Sequence, residues 1–205
     1  MNIDIQNSPL LQSGIQNYYL KNYKLSKEFF DKRISENPED HLAYFIRGRF
    51  GWECDKDLNA AIDDFSKAYQ LNRKFNYYYL YFEATKSEIN ENYMESINFF
   101  TELIKQNNFD SFAYYFRAIL KDQELDDSKG AVSDYRKSIL INPKNPHVYW
   151  HYGRALRRLG YYQQAINIFN KYLEILPNEE NNINNEIFWT IQKERNTAIK
   201  LRKRS

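Results

Sequence analysis

Two histidines, His147 and His151, stand four residues apart in the stretch PHVYWHYGRALRR. On a helix they share a face and could hold a metal together, but no carboxylate or cysteine lies nearby in sequence to complete the ligand shell. Asp63-Asp64 and Asp126-Asp127 read as solvated or ion-paired surface rather than as acid–base machinery. The single cysteine, Cys54, cannot close an internal disulfide and reads as a small apolar residue in a reducing compartment. The chain has no GxxxxGK[S/T] loop, no GxGxxG after a strand, no GxSxG elbow and no Cys-x-x-Cys. No catalytic residue, metal ligand or cofactor is therefore expected, and the chain reads as a non-enzyme.

What recurs is structural. A small residue appears at Gly14, Gly48, Ala84, Ala118 and Gly153, and twelve or thirteen residues later another follows at Ser26, Ala61, Ser96, Ala131 and Ala165. Four positions further on stands an aromatic, at Phe30, Phe65, Phe100, Tyr135 and Phe169. Prolines close three of the five units, at Pro38, Pro143 and Pro177. A fixed internal period near 34 residues marks a solenoid. Within a unit, Tyr149, Tyr152, Gly153 and Leu156 keep the three-and-four spacing of one helical face, and Gly160 ends that helix. AINIFNKYLEIL then places Ala165, Ile166, Phe169, Tyr172, Leu173 and Leu176 on one side of a second helix, which Pro177 ends. Each unit is thus a helical hairpin whose outer apolar surface needs the next hairpin to cover it.

Composition fits that reading. The 205 residues are 42% hydrophobic and 27% charged, with only 6 glycines and 5 prolines, so no flexible linker is expected. The N-terminus MNIDIQNSPLLQ lacks a basic start and apolar core, and no 18-residue apolar run exists, so a cytoplasmic protein with no membrane span is the expectation. The net charge is +2, unevenly spread. Residues 146–205 hold 10 Lys+Arg against 5 Asp+Glu, most of the excess lying from Arg195 to Arg204, where a cationic end suits a helix C-terminus.

With the units in register, the small residue falls at slot 8, tyrosine near slot 17 (Tyr23, Tyr93, Tyr162), alanine at 20, the aromatic at 24 and proline at 32. This pattern resembles the tetratricopeptide repeat over about Asn7 to Glu179. The resemblance implies an all-α, right-handed α-solenoid of five helix-turn-helix hairpins plus a C-terminal capping helix. The expected organisation is an N-terminal extension at 1–6 and hairpins at about 7–40, 41–76, 77–110, 111–145 and 146–179. A capping helix and basic tail would follow at 180–205, with Ile187, Ile191, Ala198 and Leu201 on one face. Arg73 and Asn108 depart from the closing proline, Arg33 fills the usually small slot 27, and Asn17 lacks the usual bulk at slot 11.

The units also alternate. The second and fourth each carry an extra residue between the two helices, an arginine before the small residue (Arg47, Arg117) and an aspartate before the aromatic (Asp64, Asp134). Co-occurrence on the two helices of one hairpin predicts ion pairs Arg47–Asp64 and Arg117–Asp134, suited to bidentate contact.

The resemblance further implies that slots 2, 5, 9 and 12 of each first helix line a concave groove. Those slots carry Phe45, Tyr78, Tyr81, Phe112, Tyr115 and Trp150 as an aromatic ladder, flanked by Arg49, Trp52, Glu88, Asp122, Arg154 and Arg157. The expected function is a scaffold or adaptor that binds a partner protein or peptide through Phe45, Arg49, Trp52, Tyr78, Tyr81, Phe112, Tyr115, Trp150 and Arg154. No three units carry the basic and asparagine set with which co-chaperones of this fold hold a C-terminal carboxylate. The alternative is single-stranded RNA, with bases stacked on the rings and phosphates on Arg49, Arg154, Arg157 and Arg158. Glu88 and Asp122 in mid-groove argue against it. Self-association through a terminal hairpin is the third expectation.

Overall fold

The computed structural model of the chain describes residues 8–55, 57–175 and 185–203, which form eleven α-helices and one π turn. The expected extension at 1–6, Pro177, residues 180–184 and the side chains of Cys54, Ile187 and Ile191 lie outside what it describes. The helices divide into two compact units, Met1–Asn108 and Phe109–Ser205.

The first unit holds α1 (Pro9–Tyr19), α2 (Tyr23–Glu36), α3 (His41–Asp55), α4 (Leu58–Leu71), α5 (Asn76–Ile89) and α6 (Tyr93–Gln106). They pair as hairpins α1/α2, α3/α4 and α5/α6, and the hairpins stack through α2 on α3 and α4 on α5. The second unit holds α7 (Ser111–Ile119), the π turn Leu120–Glu124, α8 (Ser128–Ile141), α9 (Pro146–Arg158), α10 (Tyr162–Ile175) and α11 (Asn185–Arg202). Here α7/α8 and α9/α10 are hairpins, α8 packs on α9, and α11 covers α10 and touches α9. Among the described side chains of α11, Ala198 is fully buried.

The repeated slots explain the hairpins. The aromatic of each second helix is at most 1% exposed and drives against the small residue of the first. A Cβ at Gly48 would lie 2.9 Å from Phe65 Cε1, and Gly14 and Gly153 press still closer on Phe30 and Phe169. Burying one such ring stabilises by about 2–3 kcal/mol, and the glycine lets the helices approach far enough to collect it. Ser26, in the second small slot, donates its hydroxyl to the Gly14 carbonyl at 2.8 Å across the hairpin.

Helix ends are set by short polar side chains. Ser8, Asp57, Asp110, Asp127 and Asn145 accept backbone N–H groups at the starts of α1, α4, α7, α8 and α9. The helices α2, α4, α6 and α8 all end at an asparagine, Asn37, Asn72, Asn107 and Asn142. Asn37 and Asn142 accept from the N–H of Glu39 and Lys144, and Asn72 bonds the His41 ring at 3.3 Å. These side-chain bonds turn the backbone at the two ends that also carry Pro38 and Pro143, whereas after Arg73, which stands in place of proline, the Phe75 N–H closes the turn on the Asn72 carbonyl at 3.1 Å. Arg33 fills its slot because its Nε donates to Asp40 Oδ2 at 2.7 Å, where the chain passes from α2 to α3.

The alternation of the units has a geometric counterpart at the turns. In the first, third and fifth hairpins the first helix closes through a left-handed residue, Lys21, Glu91 or Gly160. The following N–H of Asn22, Asn92 or Tyr161 returns to the carbonyl five residues back, a Schellman closure. In the fourth hairpin the added residue is taken up by the π turn, where Leu125 N–H reaches the Leu120 carbonyl at 3.2 Å and Asp126 is the left-handed residue.

Candidate functional site

Most aromatic slots of the first helices are core, which corrects the expectation of an exposed ladder at all of them but Trp150. Phe45, Trp52, Tyr78 and Tyr81 are buried in the first unit, and Phe112 and Tyr115 in the second. Phe45 meets Tyr81 edge-on at 5.0 Å and Tyr78 at 4.8 Å, and Trp52 packs on Phe65 and Phe100. Tyr115 lies against Tyr135. The physical reason is the stacked neighbour, which covers these six rings, whereas Trp150 at the same slot of α9 stays half-exposed. Arg49 remains half-buried at the edge of this cluster, its guanidinium over the Phe45 and Tyr81 rings at 5.3 and 5.6 Å.

The charged slots of the second and fourth hairpins form matching clamps. Arg47 donates through Nε to Asp64 Oδ2 at 2.8 Å and through Nη2 to Oδ1 at 2.6 Å. Its Nη1 reaches Asp31 of α2 at 2.6 Å, tying the second hairpin to the first. Pairing with Asp64 raises the guanidinium's affinity for its proton further. Arg117 holds Asp134 in the same bidentate way at 2.9 and 2.6 Å, and Lys121 adds a third bond at 2.8 Å. Each guanidinium also lies over the tyrosine three residues before it, Tyr44 or Tyr114.

In the second unit the π turn organises a polar hub. It carries Asp122, which is buried and accepts from Ser128 Oγ at 2.5 Å and from the Tyr135 hydroxyl at 3.4 Å. Arg158 at the end of α9 pairs with the same carboxylate and donates to Ser128 Oγ at 3.2 Å. Burial and the adjacent Asp122 push the Tyr135 phenol well above its ordinary range, so it stays a hydrogen-bond donor. Asp122 is therefore a structural acceptor inside the unit rather than a groove charge. No single residue announces this hub in the sequence, because Asp122, Ser128 and Tyr135 come together only once the extra residue forms the π turn.

The half-buried face of α9 carries His147, Trp150, Arg154 and Arg157. His151 Nδ1 lies 2.8 Å from Gln123 Nε2 of the π turn. Arg157 pairs with Glu194 of α11 at 2.8 Å. Arg154 places its guanidinium 5.5 Å from the Trp150 ring centre. Its Nε is buried without a hydrogen-bond acceptor, and its guanidinium meets no carboxylate among the described residues. Among the described residues no three His, Cys, Asp or Glu side chains converge as metal ligands, and no helix is long and apolar enough to cross a membrane.

Known proteins share this architecture. The tetratricopeptide repeat model matches residues 146–179, the α9/α10 hairpin and the segment after it. A TPR repeat-containing protein of Methanocaldococcus jannaschii is 29% identical over 119 residues, a match that spans 58% of this chain and 20% of that protein. A tetratricopeptide repeat protein of Parabacteroides merdae superposes with a TM-score of 0.63 at 20% identity, covering 93% of this chain and 70% of that one. A thermophilic TPR protein of Thermus thermophilus does so at 0.64 and 14% identity, covering 93% and 97%. Residues 146–179 thus match the tetratricopeptide repeat motif, and the all-helical fold of the chain is like that of solved tetratricopeptide repeat proteins.

Proposed function

We propose that the chain is a non-enzymatic scaffold that holds a partner protein segment, with the α9 face of the second unit as its anchor point. The supporting observation is the Trp150–Arg154 pair. The indole is half-exposed, the guanidinium lies over it, and among three arginines on α9 Arg154 alone meets no carboxylate within the described residues. A ring beside an unneutralised guanidinium suits a segment that offers an apolar or aromatic side chain next to an Asp or Glu. In the second unit Phe112 and Tyr115 support such a site as buried rings, while Phe45, Tyr78 and Tyr81 are buried in the first unit and Arg49 stays half-buried at the edge of their cluster.

The RNA alternative is disfavoured, because all of the rings it would need except Trp150 are covered and Arg157 and Arg158 are engaged with Glu194 and Asp122. The test is selection from a displayed peptide library with the wild-type protein, followed by titration of the enriched peptides against a Trp150→Ala, Arg154→Ala variant. Enriched sequences should pair an apolar anchor with an acidic residue and bind the variant about tenfold more weakly or worse. Equal binding by the two proteins would overturn the assignment.

A further inference from the structure

The first unit contains a cavity of about 440 Å³ between its first and second hairpins. Its origin lies in one repeat slot. Three residues after the small residue of each first helix the chain places Asn17, Gly51, Ser87, Lys121 and Leu156. Leu156 fills that position in α9 and is fully buried. Gly51 leaves it empty in α3, where a Cβ would touch nothing within 4 Å. A space of this volume, formed where a side chain is missing, has the size of an ordinary ligand site.

The chemistry around it is specific. One side is apolar and aromatic, with Phe30 stacked on Phe50 at 5.6 Å and Tyr23 beside them. Four carboxylates line it against two cations, Lys27 and Arg47. Arg47 is already engaged with Asp64 and Asp31, which leaves Asp57, the cap of α4, and Asp63 within α4 as the exposed acidic edge. We propose that this cavity receives an arginine side chain of a partner peptide. A guanidinium stacks on aromatic faces and meets carboxylates through two parallel hydrogen bonds, so flat rings next to excess carboxylate select it over an ammonium. The chain makes the same combination internally, where Arg47 lies over Tyr44 and grips Asp64.

This site uses residues of the first unit only and takes a cation, whereas the α9 face takes an acidic segment, so the two assignments fail separately. The probe is a labelled alanine–glycine peptide with one central arginine, read by fluorescence polarisation beside versions carrying citrulline, lysine or glutamate. The arginine peptide should bind, citrulline should cost about tenfold or more through loss of charge at equal shape, and glutamate should not bind. Gly51→Leu should abolish binding with helicity intact, and Asp63→Asn, at an exposed position, should weaken it severalfold. The Trp150→Ala, Arg154→Ala variant should bind the peptide as the wild type does. The proposal is overturned if Gly51→Leu and Asp63→Asn both bind normally, if citrulline or glutamate serves as well as arginine, or if no binding occurs up to millimolar peptide. Equal competition by free arginine would also overturn it, by making the site one for a small cation rather than a peptide.

Discussion

Asp134 has a dry carboxylate gripped by three hydrogen bonds from two cations, and its energetics follow from that setting. Its side chain is 5% exposed and Arg117's is 14%, so removing the carboxylate leaves positive charge in a poorly solvated place. Asp134→Ala should cost about 3 kcal/mol in urea unfolding. Because Arg117 and Asp134 act on each other, Arg117→Ala combined with Asp134→Ala should cost clearly less than the two single changes added together. Additive costs would show that the clamp carries no coupling energy. At the same scale, small residues at Gly14, Gly48 and Gly153 matter for what they admit, which is the ring of the facing helix.

The elements are joined by turns that differ in kind, and Lys21 shows what one of them costs. It occupies the left-handed closure between α1 and α2, where burial lowers its ammonium from the ordinary value of 10.5 to about 8. A base lowered in this way prefers to be neutral when folded, so the unfolded chain binds the extra proton between pH 8 and 10.5. Stability contributed by this group therefore rises over that window, and below it the cost of burying the charge is constant. Lys21→Gln should be more stable than the wild type at pH 7 by about 1–2 kcal/mol after solvent screening is allowed for. That advantage should shrink as the pH approaches 10.5, as followed by the difference between the two melting curves. Every other titrating group is common to both proteins and cancels in the difference. A gap that does not change with pH would place Lys21's ammonium in ordinary solvent.

At the scale of the whole molecule, the stacking of each hairpin on the next within its unit makes stability local. The helix α11 packs on α10 in the second unit, and among its described side chains Ala198 is fully buried. Ala198→Glu forces an unpaired carboxylate into that seam and should cost about 2 kcal/mol or more. Hydrogen exchange should show the loss of protection in α11 and α10, with the amides of α1 to α4 unchanged. Loss of protection spread evenly over every helix would mean that the chain unfolds as one cooperative body.

The hairpin architecture was legible in the sequence because it rests on local rules. Helical periodicity, a small residue facing an aromatic ring and asparagines every 35 residues at Asn37, Asn72, Asn107 and Asn142 act within one hairpin or at its end. Arg47 with Asp64 and Arg117 with Asp134 repeat at one spacing for the same reason, and the structure holds both pairs at hydrogen-bond distance. Whether Tyr81 or Trp150 faces solvent was not legible, since the slot is the same in both helices. Only tertiary packing decides it: the stacked hairpins cover Tyr81 completely, while Trp150 stays half-exposed beside Arg154. The empty place over Gly51 is likewise a tertiary fact, for a missing side chain becomes a cavity only when the facing helices hold their distance. Periodicity determines which residues share a helix face, and the neighbouring helix determines how much of that face remains for a partner.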